Sequence, residues 1–225
     1  MEKKSLSKTS ELPLMLGYFV FSIFLNSLGN ALTVSLNLGS ALWTAAAVNV
    51  AHATALQLSW ILFVEGFLVI LLNLFLVGHL SVRRVVGNLI FMVSFSYLVG
   101  GGLSGELVTL GIGNLALPLR IVLDCVGIVL IATAISIYQR VNLIMHPCDD
   151  LMQILRFKFF KGNPSTAQLV SFIPPIVAIG VVFGFTQQIF ALNIGTIFAL
   201  IFQGALVGIA DQRVFPTLRH HDLEI

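Results

Sequence analysis

Apolar residues occur along this chain in six long runs that are separated by short polar segments. Each run has about 20 residues, which is the length that an α-helix needs to cross the hydrocarbon core of a bilayer. Backbone groups in hydrocarbon need partners within the segment, and the alternation of a membrane β-barrel is missing, so the pattern predicts helices. The predicted spans are 14–36, 58–77, 86–107, 117–138, 167–190 and 194–210.

Two shorter segments lie between these spans. Segment 41–57 is apolar and follows a Gly39-Ser40 break, and segment 147–158 begins with Pro147 and carries two acidic residues in its first turn. Proline at the first helical position and acids in the first turn are typical of a helix start. Both segments are predicted to be short helices that each follow a span.

The composition agrees with an all-α integral membrane protein. Of 225 residues, 57% are hydrophobic and 10% are charged, whereas soluble domains have about 25% charged residues. This excludes a water-soluble globule and a disordered chain. A net charge of +2 gives no basis for nucleic-acid binding, and Cys125 and Cys148 form neither a disulfide framework nor a metal-ligand spacing.

Basic residues predict the orientation, because Lys and Arg are concentrated in cytoplasmic loops. With the amino terminus inside, eleven of the twelve basic residues fall on the cytoplasmic side, and Arg120 alone falls on the other. Six spans then leave both termini in the cytoplasm. A signal peptide is the alternative for the first run, but that run is long and lacks a small-residue cleavage site, which favours a retained helix.

The two halves of the chain show weak self-similarity. Asn37-Leu38 matches Asn142-Leu143 at an offset of 105 residues, and Leu98-Val99-Gly100 matches Leu206-Val207-Gly208 at an offset of 108. Three spans per half is an odd number, so the second half would be inverted, as in many secondary transporters. The alternative is a duplication kept for packing. The predicted divisions are 1–13 and 213–225 as cytoplasmic tails, with 14–107 and 108–212 as the repeats.

Three short motifs resemble the YczE/YitT-like family of bacterial membrane proteins. They are 37–43 (NLGSALW), 146–152 (HPCDDLM) and 193–196 (NIGT). The family's first motif usually reads Asn-Leu-Gly-x-x-Pro-Trp-Asp, and here Leu42 replaces the proline and Thr44 the acid, whereas the second motif keeps Pro147 and Asp149. The resemblance implies a location in the bacterial plasma membrane and a transport function, but no substrate.

A polar stripe runs along one face of the first span, at spacings of four, four, three and four residues: Ser22, Asn26, Asn30, Thr33 and Asn37. Polar side chains facing lipid are costly, so the stripe either lines a cavity or makes hydrogen bonds between helices. The candidate substrate-binding residues are Asn26, Asn30, Thr33, Asn37, Trp43 and Asn142. The alternative for Trp43 is an anchor at the membrane interface.

Glu65 and Asp124 are the acidic residues well inside the spans, and both are candidates for proton coupling. Arg120 lies four residues before Asp124, where a helical ion pair would form. Glu65 has no cation nearby in sequence, so it is the stronger candidate, with a packing hydrogen bond as the alternative. Gly66 and Pro174 occupy matching positions of the two halves and are predicted to interrupt their spans, which points to a binding site.

These features predict a secondary transporter of a small organic solute that works by alternating access between inverted repeats, with Glu65 and Asp124 as proton-coupling groups. The alternatives are a membrane-embedded binding subunit of a larger uptake system and a non-transporting accessory protein. The histidines at positions 79 and 146 are assigned to cytoplasmic loops without metal spacing. No catalytic triad, metal cluster or nucleotide motif occurs, so neither an enzyme nor a cofactor is expected. The expected partners are the lipid bilayer and the solute, and a homo-oligomer is left open.

Overall fold

The computed structural model describes residues 8–219, and within this range the chain folds into helices without a β-strand. The predicted cytoplasmic tails lie partly outside this range, at residues 1–7, which include Lys3 and Lys4, and at residues 220–225. The α-helices are α1 (Lys8–Leu36), α2 (Leu42–Thr54), α3 (Leu58–Val77), α4 (Val82–Tyr97), α5 (Leu103–Thr109), α6 (Leu117–Val141), α7 (Pro147–Ile154), α8 (Pro164–Ser171), α9 (Ile173–Thr186) and α10 (Ile194–Arg213).

Six helical segments of the described chain are long and apolar enough to cross a membrane, so this is a multi-pass membrane protein. They are Pro13–Leu36, Leu58–Val77, Val82–Thr109, Leu117–Val141, Pro164–Thr186 and Ile194–Arg213. Each coincides with one predicted span, and the number of spans is confirmed. The bounds differ by up to four residues because polar residues extend several helices beyond their apolar cores.

The two predicted short helices are present as α2 and α7, and each follows the same backbone turn. Asn37 ends α1 with φ 52°, and Asn142 ends α6 with φ 50°. This left-handed conformation is one that asparagine tolerates better than most residues and that often terminates a helix. In both halves the chain therefore runs as a long helix, an asparagine turn, a short helix and two further spans.

Two spans contain irregular backbone. The third span has a π-helical turn at Leu98–Gly102 between α4 and α5, where Gly100 packs so closely on α3 that an added Cβ would lie 2.6 Å from the Cα of Ser59. The fifth span breaks at Phe172, between α8 and α9. The prolines at positions 174 and 175 cannot donate backbone hydrogen bonds, and the interruption predicted at Pro174 is confirmed.

The matching interruption predicted at Gly66 is wrong. Helix α3 continues unbroken through this residue, because a single glycine keeps both its N–H and C=O in the helical hydrogen-bond pattern. The missing side chain has a packing role instead. A Cβ on Gly66 would lie 2.5 Å from the sulfur of Met92, so the glycine allows α4 to pack closely against α3.

Helices α1 and α6, the first long helix of each half, pack at the centre of the bundle. A Cβ at Gly29 would lie 2.7 Å from the carbonyl oxygen of Gly127, and a Cβ at Gly127 would lie 2.7 Å from the Cγ2 of Thr33. Small residues let membrane helices approach closely enough for strong van der Waals contact. This close approach brings polar side chains of α1 within reach of α6.

The loops with basic residues meet at one end of the bundle, which is called the basic end below. Lys158 donates to the carbonyl of Val77 at 3.2 Å, and Arg140 donates to the carbonyl of Phe215 at 3.0 Å. Arg120 lies at the opposite end, where its Nε donates to the carbonyl of Leu36 at the end of α1 at 3.1 Å.

Candidate functional site

A small polar cavity lies in the centre of the bundle and is lined by side chains from both halves of the chain. Its volume of about 30 Å³ has room for two or so waters, since one water needs about 10–15 Å³. The lining residues are Asn26, Asn30, Ala41, Trp43, Thr44, Leu62, Glu65, Phe95, Ile131, His146, Cys148, Asp149, Gln168, Phe172 and Gln203. This central cavity is the candidate site.

A continuous chain of hydrogen bonds joins the start of α2 to the start of α7 along this cavity. Thr44 donates to Asn30 Oδ1 at 2.6 Å, and Asn30 Nδ2 donates to Asn26 Oδ1 at 2.9 Å. Asn26 Nδ2 then donates to the Tyr138 hydroxyl at 3.0 Å, and that hydroxyl donates to Asp149 Oδ2. All four donors point toward Asp149, an arrangement in which neighbouring hydrogen bonds polarise and strengthen one another.

The start of α7 places His146 and Asp149 against the cavity. Cys148 N–H donates to His146 Nδ1 at 3.3 Å, and the ring of His146 lies edge-on to Phe95 with centroids 4.5 Å apart. Burial lowers the pKa of His146 to about 3, so its imidazole is neutral. Burial raises the pKa of Asp149 to about 7, the hydrogen bond from Tyr138 opposes this shift, and the charge of Asp150 adds to it.

Several polar atoms at the cavity have no partner within residues 8–219. Gln168 and Gln203 are each 3% exposed, and the side-chain oxygen of each, together with the indole N–H of Trp43, makes no hydrogen bond in the described chain. Glu65 is partly buried, and the described chain provides neither a hydrogen bond nor an ion pair to its carboxyl group. Buried polar atoms are nearly always paired, so these groups are suited to a bound molecule.

Buried ion pairs close the basic end. The Nε of Arg84, at the start of α4, lies 3.2 Å from Oδ1 of Asp150, and Asn88 donates to the other oxygen at 2.9 Å. Farther along the chain, Asp211 of α10 pairs with Arg156 at 2.9 Å and with Arg140 at 3.6 Å. The first pair joins α4 of the first half to α7 of the second half.

At the opposite end, hydrogen bonds join α2 and the segment before it to the second half of the chain. Asn49 of α2 donates its amide to the carbonyl of Phe190 and accepts the N–H of Phe190 at 2.7 Å. Ser40 N–H donates to Thr196 Oγ1 at 3.2 Å, and Gly195 N–H donates to the carbonyl of Leu38 at 3.0 Å. These contacts join the first half of the chain to the second half at this end of the bundle.

The structure brings together four of the candidate site residues and separates the others. Asn26, Asn30, Trp43 and Glu65 all line the central cavity. Two other predicted substrate-binding residues, Thr33 and Asn37, line a separate cavity of about 20 Å³ at the opposite end. The last, Asn142, lines a cavity of about 30 Å³ at the basic end, with Ser81 and Arg84 among its neighbours.

Asp124, the second predicted proton-coupling residue, lies away from the central cavity. It is buried, its carboxyl oxygens have no hydrogen-bond partner within the described chain, and it packs against Gly195 at the start of α10. The predicted Arg120–Asp124 ion pair is not formed. Arg120 turns instead to the carbonyls of Leu36 and Asn37 at the end of α1, where a cation satisfies carbonyls that lack helical partners.

Sequence reasoning missed six lining residues with polar or thiol side chains: Thr44, His146, Cys148, Asp149, Gln168 and Gln203. His146, which was assigned to a loop, lies between α6 and α7, but its side chain is buried and caps α7 inside the bundle. One available signal was the pair of glutamines, each an uncharged amide within an apolar span. Another was the offset of 105 residues, which relates Thr44 to Asp149, the two ends of the hydrogen-bond chain.

Six membrane-crossing segments around a small polar cavity define the chain as a polytopic helical membrane protein. It belongs to the family of unknown function DUF6198, whose family model matches residues 14–212. No curated protein and no solved structure matches the chain. The family and the fold together establish the class of protein, and the function is argued below from the central cavity.

Proposed function

We propose that this protein is a secondary transporter of a small organic solute, working by alternating access between two inverted repeats. The observation that carries the proposal is the central cavity, to which both halves contribute side chains and in which the oxygens of Gln168 and Gln203 lack partners. A purely structural core would pair such buried acceptors or replace them with apolar groups.

The repeat is supported by matched features of the two halves. Each half contains three spans, with a short helix after the first, and an odd number of spans turns the second half upside down. The turns at Asn37 and Asn142 share both the offset of 105 residues and the left-handed backbone. Thr44 and Asp149, each the third residue of its short helix, have the same offset and both line the cavity.

Alternating access requires that the two ends open in turn. The closed basic end depends on Arg84–Asp150, and the closed opposite end depends on Asn49 and Phe190. Both contacts join the first half of the chain to the second. A relative rotation of the halves would break one set of contacts while the other persists, as in rocking transporters with inverted repeats.

The proposed location is the bacterial plasma membrane, with both termini in the cytoplasm, which is also what the resemblance to the YczE/YitT-like family implies. The distribution of basic residues supports this orientation. Glu65 is the proposed proton-coupling group, because it faces the cavity without a partner in the described chain. Asp149 replaces Asp124 as the second carboxyl in this proposal, since Asp124 does not reach the cavity.

The test is transport by the purified protein in proteoliposomes, with and without a pH gradient, for solutes identified by mass spectrometry of molecules that copurify. We expect gradient-driven uptake by the wild type and its loss in Glu65→Gln, which keeps the shape but does not titrate. Glu106→Gln, on the exposed surface of α5, is the matched control. A copurifying solute that binds but is never transported would support a binding subunit and overturn the proposal.

A further inference from the structure

We infer that the solute is a small organic cation, held by the carboxyl groups of Glu65 and Asp149 and enclosed by the rings of Trp43, Phe95 and Phe172. This inference rests on the proposed function, since it names the chemical class of solute for the same cavity. All five side chains line that cavity.

The charges around the cavity favour a cation. Two carboxyl groups line it, whereas no lysine or arginine is found among its lining residues in the range 8–219. His146 is neutral because burial lowers its pKa to about 3, and Arg84 is held by Asp150. An anion in the cavity would lose its hydration without gaining a positive partner, which is a large free-energy penalty.

The aromatic residues that line the cavity also favour a cation. Trp43, Phe95 and Phe172 come from three different elements, α2, α4 and the break between α8 and α9. Aromatic rings attract cations through their negative faces, and a group of such rings is the usual means of binding a quaternary or methylated ammonium. A carboxyl group beside these rings supplies the compensating charge.

The unpartnered groups are mainly hydrogen-bond acceptors. The side-chain oxygens of Gln168 and Gln203 and the carboxyl group of Glu65 have no donor within the described chain. An ammonium that keeps N–H groups carries donors and no acceptor, so it would satisfy these oxygens, whereas a quaternary ammonium would meet them through charge alone. At Asp149 the hydrogen bond from Tyr138 ends a chain of donors, which stabilises the carboxylate that would face the cation.

Binding of a cation should therefore be linked to the protonation of Asp149. The titratable groups in contact with this carboxyl or acting on it are Tyr138 of α6 and, at the start of α7, His146 and Asp150. Glu65 of α3 and Cys148 line the same cavity, and Arg84 of α4 is paired with Asp150. Burial raises the pKa of Asp149 to about 7, so a cation would bind more tightly as the pH rises through this value and would displace the proton.

The first test measures binding of probe ions to the purified full-length chain by thermal unfolding. The probes are the chlorides of methylammonium, tetramethylammonium, choline and guanidinium, compared at equal ionic strength with sodium chloride and sodium acetate. The uncharged isostere of choline, 3,3-dimethylbutan-1-ol, controls for shape. We expect a saturable rise of the melting temperature with at least one organic cation and none with acetate or the isostere.

The variants Asp149→Asn and Glu65→Gln should each weaken that binding by roughly thirtyfold or more, as removal of one partner of a buried charge pair does. The surface variant Glu106→Gln should leave it unchanged. Stabilisation by acetate or the isostere alone, no stabilisation by any organic cation, or unchanged cation binding in both cavity variants would each overturn the inference.

A second measurement needs no substitution in the cavity, because the buried thiol of Cys148 lines it. In a Cys125→Ser background, thiosulfonate reagents of similar size and opposite charge report which charge the cavity admits. We expect the ratio of the ethylammonium rate to the ethylsulfonate rate to be higher at Cys148 than for a small free thiol in solution. A ratio equal to or below that of the free thiol would overturn the inference even if Asp149→Asn fails to fold.

The two proposals fail in different ways. Gradient-driven transport of a neutral or anionic solute would support the proposed transport function and overturn the inference that the solute is an organic cation. Saturable binding of an organic cation without any flux would support the inference about the ligand and overturn the proposed transport function.

Discussion

The side-chain amide of Asn26 on α1 donates to the hydroxyl of Tyr138 on α6 at a distance of 3.0 Å. These two residues are 112 positions apart in the chain and belong to the first long helix of each half. Their contact is the step at which the chain of hydrogen bonds passes from one half to the other.

Removing the Tyr138 hydroxyl should uncouple Asn26 from Asp149. For a double-mutant cycle of Asn26→Ala and Tyr138→Phe, we expect a coupling free energy of about 0.6–1.7 kcal/mol, the range measured for hydrogen bonds between membrane helices. Reversible unfolding in mixed micelles gives the four free energies. Tyr97→Phe, on a side chain that is 73% exposed, is the control and should be neutral. A coupling indistinguishable from zero would show that the amide and the hydroxyl do not interact.

Gly29→Ala should destabilise the protein by about 1–3 kcal/mol, because the added methyl group overpacks the contact between α1 and α6. The matched control is Gly184→Ala in α9, where nothing lies within 4 Å of an added Cβ. This second change should be neutral or slightly stabilising, since alanine is a better helix former than glycine. Melting temperatures from fluorescence-detected size exclusion compare the two variants. Equal melting temperatures would mean that α1 and α6 do not pack as described.

Arg84→Gln should lower the unfolding free energy by about 3–5 kcal/mol, because it leaves the buried carboxylate of Asp150 without its cation. The neighbouring Arg83→Gln removes the same charge from an exposed position and should change stability by less than about 0.5 kcal/mol. The double variant Arg84→Gln, Asp150→Asn should recover part of the loss, since no unpaired charge then remains. Chemical unfolding of all four proteins tests this, and equal effects of the two arginine variants would contradict it.

Single cysteines should report the proposed orientation in cells that carry a cysteine-free background. The exposed positions Gln57, Leu110 and Leu192 should react with an impermeant maleimide added outside. The exposed positions Leu80 and Asn163 should react only after the membrane is opened. Ser104 would be a poor site, because it is buried in α5. Labelling of Leu80 from outside intact cells would overturn the proposed orientation.

The spans could be predicted from the sequence because hydrocarbon imposes one requirement on the whole segment, and apolar runs of sufficient length satisfy it. The break near Pro174 could also be predicted from the local sequence, since proline lacks the N–H that a helix needs. The role of Gly66 depended instead on a tertiary contact, because the side chain of Met92 on α4 occupies the space where a Cβ on residue 66 would lie. A sequence pattern contains no information about which neighbour packs there.

Four lining residues could be predicted from local signals, among them Glu65, an acid within an apolar span. Asn26 and Asn30 were found because they repeat along one helical face. His146 and Asp149 were missed because α7 is short and begins with polar residues. Contacts with distant helices hold it inside the bundle, among them hydrogen bonds to Asn73 of α3, Asn88 of α4 and Tyr138 of α6. Such long-range partners are set by the tertiary fold, and no local property of segment 147–154 specifies them.

The small volume of the central cavity determines how any ligand larger than a few waters must bind. A volume of about 30 Å³ has room for two or so waters, so a larger organic molecule is captured by a different and more open conformation. The observed dissociation constant then equals the intrinsic constant divided by the population of the open conformer. Weakening the contacts that close either end should therefore increase apparent affinity and speed up association, although the substituted residues never touch the ligand.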